Sequence, residues 1–226
     1  PQANEVVKSE LLPQSIPIAR VMIADLRFRD KNLGSWSWIT QRREGGIVFE
    51  NVETRLQGAI FSGRLSWLYD KEINVNTSIL TGSLKGGRFQ DLSKLWAEKS
   101  PLDSESYSLS TGLVWGRSPT DFSWEHVTGK LSFDMKNGKF NDTAASADIF
   151  RIFGILNTDA LTRRLRLDFS DIYEKGLAYD QIEGKAKIRD GVIHFESPLA
   201  VQAPSSAFKI TGTTNLVDDS LDMEMV

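Results

Sequence analysis

The sequence predicts a mostly β chain, an elongated and twisted antiparallel sheet with one apolar face, interrupted by two short helices. Three observations carry this: apolar residues recur with period two over most of the chain, glycine-bearing turn pairs separate the runs, and only two stretches show helical spacing.

The period-two runs come in order. Ile16, Ile18, Met22, Ala24, Leu26 and Phe28 share one parity, with Arg27 and Arg29 on the other beside Val21 and Ile23. Trp36 and Trp38 alternate with Ser35 and Ser37. Ala59, Phe61, Gly63, Leu65, Trp67 and Tyr69 point one way; Ile60, Arg64 and Ser66 point the other. Ile73, Val75, Thr77 and Ile79 repeat the pattern, as do Tyr107, Leu109, Leu113 and Trp115. Val127, Leu131, Phe133 and Met135 oppose Lys130, Ser132, Asp134 and Lys136. Ala178, Ile182, Ala186 and Ile188 oppose Glu183, Lys185 and Lys187, and Phe208, Ile210, Gly212 and Leu216 form a last run. Alternation of this kind gives a strand one wet and one dry face.

Turns are expected at Gly45-Gly46, Gly86-Gly87, Asn137-Gly138, Asp190-Gly191 and Asp218-Asp219. Asn-Gly and Asp-Gly between alternating runs favour tight hairpins, so neighbouring strands should pair as a meander. A loose repeat of glycine-started strand, glycine turn and following element recurs from Gly82, Gly129 and Gly184, which suggests an architecture that extends by addition. The first helix is expected over 91–99, with Leu92, Leu95 and Trp96 at helical spacing and Pro101 beyond it. The second is expected over 146–157, capped by Ser146, with Ile149, Phe150, Ile152, Phe153 and Leu156 making it apolar over most of its surface. A basic cluster, Arg163, Arg164 and Arg166, follows.

Composition narrows the function. The chain has 226 residues, 27 basic and 30 acidic, a balance that argues against nucleic acid as the main partner. No run reaches the ~18 apolar residues of a membrane-spanning helix. With no cysteine there is neither disulfide nor thiolate metal site. The chain starts at Pro1 and stops in a run that still alternates, so it reads as one continuous segment, 1–226, of a longer protein.

Signals for catalysis are weak. His126 and His194 are far apart in strand-like runs, and no G-x-S-x-G elbow occurs. Thr128-Gly129-Lys130-Leu131 lacks the upstream glycine and the following Ser/Thr of a P-loop. The pairs Asp168/Asp171 and Asp218/Asp219 fit turn and cap roles. No catalytic residue, metal site or cofactor is therefore expected, and the chain reads as a non-enzyme. The six tryptophans fit sugar stacking or packing of the apolar face, and the arginine cluster fits anionic headgroups or pairing with Asp168, Asp171 or Glu174.

The apolar face must be covered. A second sheet, a partner protein or hydrophobic cargo would each do so, and alternation alone does not separate them. Cargo has a clear energetic rationale: at about 0.8 kcal/mol per methylene, a two-tailed lipid with roughly 30 methylenes loses on the order of 20 kcal/mol on crossing water, which a continuous apolar trough avoids.

Specific strings sharpen the choice. Gly129-Lys130-Leu131-Ser132-Phe133, Asn137-Gly138-Lys139-Phe140, the run Ile149 to Asn157, Arg163-Arg164-Leu165-Arg166-Leu167-Asp168-Phe169-Ser170-Asp171 and Asp190-Gly191 together resemble the C-terminal part of AsmA-like proteins, the long YhdP-type members above all. The resemblance implies a taco-like repeating β-groove that carries phospholipid between the inner and outer membranes of Gram-negative cells. It implies a periplasmic location, an inner-membrane anchor outside this segment and possible envelope protein partners. On it, the groove lining is assigned by parity to Leu65, Trp67, Leu109, Leu113, Trp115, Leu131, Phe133, Met135, Ile188, Ile210 and Leu216. The helix residues Ile149, Phe150, Ile152, Phe153 and Leu156 become a gate or contact, and Arg163, Arg164 and Arg166 a headgroup contact.

Overall fold

The computed structural model describes residues 11–29, 31–95, 102–141, 178–204, 206–218 and 220–225. The expected helix over 146–157 and the cluster Arg163, Arg164 and Arg166 lie outside them.

The strands are β1 (Arg20–Ile23), β2 (Arg27–Phe28), β3 (Lys31–Asn32), β4 (Ser35–Arg43), β5 (Gly46–Leu56), β6 (Ala59–Asp70) and β7 (Val75–Gly86). After helix α1 (Phe89–Ser93) come β8 (Leu102–Trp115), β9 (Val127–Phe140), β10 (Ala178–Arg189), β11 (Val192–Phe195), β12 (Leu199–Ala203), β13 (Ser206–Asn215) and β14 (Ser220–Met225). All but β2 and β3, which form their own hairpin, belong to one 12-stranded sheet. Every pairing is antiparallel, and from β4 to β11 each strand joins its chain neighbours, whereas β1 pairs β4, β10 also pairs β12 and β11 pairs β13. Short β11 and β12 are two halves of one broken strand: both pair β10 on one side and β13 on the other. The register slips by two residues between them, at Ser197-Pro198, where proline has no N–H for the ladder.

Register carries one apolar face across the sheet. Leu65 pairs Leu80, Leu80 pairs Leu113, Leu113 pairs Gly129, Gly129 pairs Ile188 and Ile188 pairs Ile193. A parallel row runs Phe61, Leu84, Leu109, Phe133 and Gly184. The opposite face shows rows such as Ser62, Ser83, Ser110, Ser132 and Lys185. Charged pairs lie there too, including Lys187 with Glu196 at 2.9 Å and Arg64 with Glu50 at 3.6 Å.

Segments crossing from the strand ends cover part of the apolar face. At one margin Arg42 donates to the carbonyls of Pro13, Gln14 and Ile16, which holds the N-terminal segment near buried Ile47 and Trp67. The loop after β8 folds back there, with Trp115 Nε1 donating to Ser118 O at 3.1 Å and Phe122 set edge-on between Trp115 and Trp124. At the other margin α1 buries Leu92 among Ala59, Leu56, Leu84 and Tyr107.

Several local expectations are corrected. Asn137-Gly138 makes no hairpin: β9 runs straight through it, with Asn137 at φ 51° donating to Glu105 at 3.1 Å. Beyond that point burial changes parity, so Phe140 and Tyr179 turn inward while Ala178 is exposed. The first helix covers Phe89–Ser93 rather than starting at 91, and 96–99 fall outside the described residues. In β7 the inward apolar side chains are Leu80 and Leu84; Val75 is 39% exposed, and Ile73, in the turn before the strand, 67%. In β1, Val21 and Ile23 point inward and Met22 is 78% exposed, so the assigned core parity is reversed. Gln57-Gly58, both at positive φ, forms a further tight turn beyond those expected, in the same conformation as Asp190-Gly191.

Candidate functional site

The candidate site is the concave side of the sheet. Leu65, Trp67, Leu109, Leu113, Trp115, Leu131, Phe133, Met135, Ile188 and Ile210 all fall on that one face, across β6 to β13. Leu216 lies just past β13, in the turn, where its N–H donates to Gly191 O at 2.9 Å. The face is not uniformly open. Trp67, Trp115, Ile188 and Ile210 are buried against neighbouring side chains and the covering segments, whereas Leu65, Leu109, Leu131, Phe133 and Met135 are half-buried.

Over β9 to β13 the protein fills its own concavity. Phe140, Tyr179, Ile182, Val201 and Ile210 pack with Phe133, Met135 and Leu199. The Phe133 ring lies over Gly184, where an added Cβ would sit 2.9 Å from Cζ, so the glycine makes room for the aromatic ring. Tyr179 donates to Asp103 O at 2.6 Å, and burial raises its pKa.

Over β4 to β7 the same face stays hollow. A cavity of about 590 Å³ is lined by Trp36 and Trp38 from β4, Phe49, Val52 and Leu56 from β5, Phe61 and Leu65 from β6, and Leu80 and Leu84 from β7, with Leu92 and Leu95 beside them. Among the described lining residues Thr54 is the one with a side-chain hydroxyl. Such a surface offers dispersion contacts and exclusion of water, and its described lining holds no ion-pairing group. Of its lining, only Leu65 was assigned from sequence. Trp36 and Trp38 alternate correctly in the sequence, where their rings fit either sugar stacking or packing of the apolar face. Leu80 and Leu84 are hard to find in the sequence because the competing run Ile73 to Ile79, which overlaps β7, carries the other apolar parity.

Close packing within the sheet at this end has a local cause. Phe61 lies across Gly63 and Gly82, whose added Cβ atoms would each meet its Cζ at 2.6 Å. A bulge at Glu50-Asn51, with Asn51 at φ 52°, shifts the β5 register between Phe49 and Val52 yet keeps both on the concave side. His126 and His194, by contrast, are exposed and lie off this face.

Comparison with known proteins bears on this geometry. All of residues 1–226 match the family described as YhdP protein. The chain belongs to the YhdP family. The Escherichia coli (strain K12) relative "Intermembrane phospholipid transporter YhdP" is 29% identical over 155 residues, 68% of this chain and 12% of that protein. The chain therefore spans a small part of the length of this YhdP relative. No solved structure matches it.

Proposed function

We propose that this chain is a section of an intermembrane phospholipid transporter and that its concave face holds acyl chains in transit. The supporting observation is the cavity of about 590 Å³ between β4 and β7, lined by apolar and aromatic side chains. An empty apolar hollow of that size is costly beside water, and each methylene seated in it gains about 0.8 kcal/mol. Membership in the YhdP family and the name of the Escherichia coli relative support phospholipid as the cargo and the envelope between two membranes as the place. No step in this role needs bond making, so the chain acts as a non-catalytic conduit. In the intact protein the membranes lie beyond the two edges of such a conduit. A helix expected over 146–157 (Ile149, Phe150, Ile152, Phe153, Leu156) would gate or contact the groove, and Arg163, Arg164 and Arg166 would meet headgroups.

Native mass spectrometry of the protein, purified from bacterial membranes without detergent, tests the reading. Phospholipid adducts are expected on the wild type and should vanish in Leu80→Asp/Leu84→Asp while the β-sheet circular dichroism persists. A clean lipid-free mass for the wild type would overturn it in favour of a scaffold module.

A further inference from the structure

The β2–β3 hairpin sits at the rim of the apolar cavity, and three hydrogen bonds fix it there. Lys31 Nζ donates to the carbonyl of Leu95, a cavity residue. Trp36, also of the cavity, donates from Nε1 to Leu33 O at 2.7 Å. Gln57, next to cavity residue Leu56, donates to Asn32 O at 3.5 Å. Gly34 seats the hairpin closely: an added Cβ there would lie 1.8 Å from Arg55 O, at φ +67°.

Residues 27–32 carry Arg27, Arg29 and Lys31 against one acidic residue, Asp30, and Phe28, Arg29, Lys31 and Asn32 are exposed. Nearby cations are mostly spoken for: Arg27 pairs Asp25 at 2.8 Å, Arg55 pairs Glu53 at 3.0 Å and Lys94 pairs Asp91 at 2.9 Å. Arg29 and Lys31 pair with no carboxylate among the described residues. Arg29 instead stands 5.3 Å from the centroid of the Phe28 ring, and Phe28 is 60% exposed. An apolar hollow with two cations at its lip that face no carboxylate among the described residues is complementary to an amphiphile with an anionic head.

We propose that this hairpin is a headgroup contact: Arg29 and Lys31 hold the phosphate of an anionic phospholipid whose acyl chain occupies the adjoining cavity. The proposal rests on the acyl-chain reading above and adds a lipid class to it. Lys31 would exchange its Leu95 carbonyl for the stronger charge-assisted bond to phosphate. Arg29 supplies a planar fork suited to the same group.

The test uses quenching of tryptophan fluorescence, since Trp36 and Trp38 line the cavity. The probes are short-chain brominated phosphatidylglycerol and diacylglycerol with identical acyl chains, below their micellar concentrations. Phosphatidylglycerol should bind about tenfold or more tightly than diacylglycerol at low salt, and the gap should shrink as salt is raised. Arg29→Gln and Lys31→Gln should each weaken phosphatidylglycerol about fivefold and leave diacylglycerol unchanged. Arg29→Lys should retain most of the preference. Equal binding of both probes, insensitive to these variants, overturns the headgroup assignment and leaves the acyl-chain reading standing. Failure of both probes to quench removes the acyl-chain reading, and the headgroup contact with it. Glycerophosphate binding to lipid-free protein as tightly as phosphatidylglycerol would show a free-phosphate site instead and also overturn the proposal.

Discussion

Two tyrosines on the concave side show how much a single hydroxyl depends on its partner. Tyr179 donates to Asp103 O, whereas the buried Tyr107 hydroxyl makes no hydrogen bond among the described residues. Tyr179→Phe should therefore cost about 1 kcal/mol, and Tyr107→Phe should be neutral or stabilising by a similar amount. Burial, helped by Asp91, pushes the Tyr107 pKa up to about 12 from 10.0. The folded state thus holds that proton more tightly than the unfolded chain. Its contribution is complete below pH about 10 and is lost as pH climbs through about 12. Urea denaturation at pH 8 and pH 11 checks both points: Tyr107→Phe should lose less stability between them than the wild type. A loss of several kcal/mol at pH 8 would mean that the hydroxyl has a role the geometry does not show. Neither contrast was legible in the sequence, where both residues are simply tyrosines in alternating runs.

Among the elements, α1 carries more than its five residues suggest. It is too short to be stable alone, so its helical form comes from packing Leu92 and Phe89 against the sheet. Leu92→Ala should cost about 2–4 kcal/mol, read by urea denaturation, because that side chain is 4% exposed and belongs to both the core cluster and the cavity lining. A change below 0.5 kcal/mol would mean that α1 is only loosely seated. Helical spacing of Leu92 and Leu95 made this element legible, but its ends were not: Arg88 supplies no side-chain cap, so no sequence signal marks the start. Strands were easier to read. Where one parity is apolar and the other charged, as in β9 and most of β10, the faces follow directly from alternation. Where both parities carry apolar residues, as in β1 and β7, the choice depends on which neighbours the register supplies. Asn137-Gly138 misled for a similar reason. Its preference for positive φ is real, but in a paired strand it is spent on a twist and a side-chain contact to Glu105 instead of a reversal.

For the molecule as a whole, a single sheet covering its own apolar face by curvature and crossing segments implies graded protection. Amides of Leu80, Leu113 and Leu131, in strands paired on both sides, should exchange slowest with deuterium. Those of Val21 and Met22, in the four-residue edge strand, should exchange early. Uniform protection across the sheet would mean a tighter closure than the hollow between β4 and β7 allows. The family resemblance was legible from strings in the later part of the chain; the hollow was not, because it arises from what α1 and the Gly63/Gly82 pair leave unfilled. The near-continuous meander has an evolutionary corollary. Inserting one hairpin into such a sheet adds two strands, restores chain direction and leaves each face with its own chemistry. It lengthens the structure across the strands by roughly 10 Å. A gene encoding this architecture can therefore change its reach by duplicating pairs of strands, in steps that leave the cross-section intact.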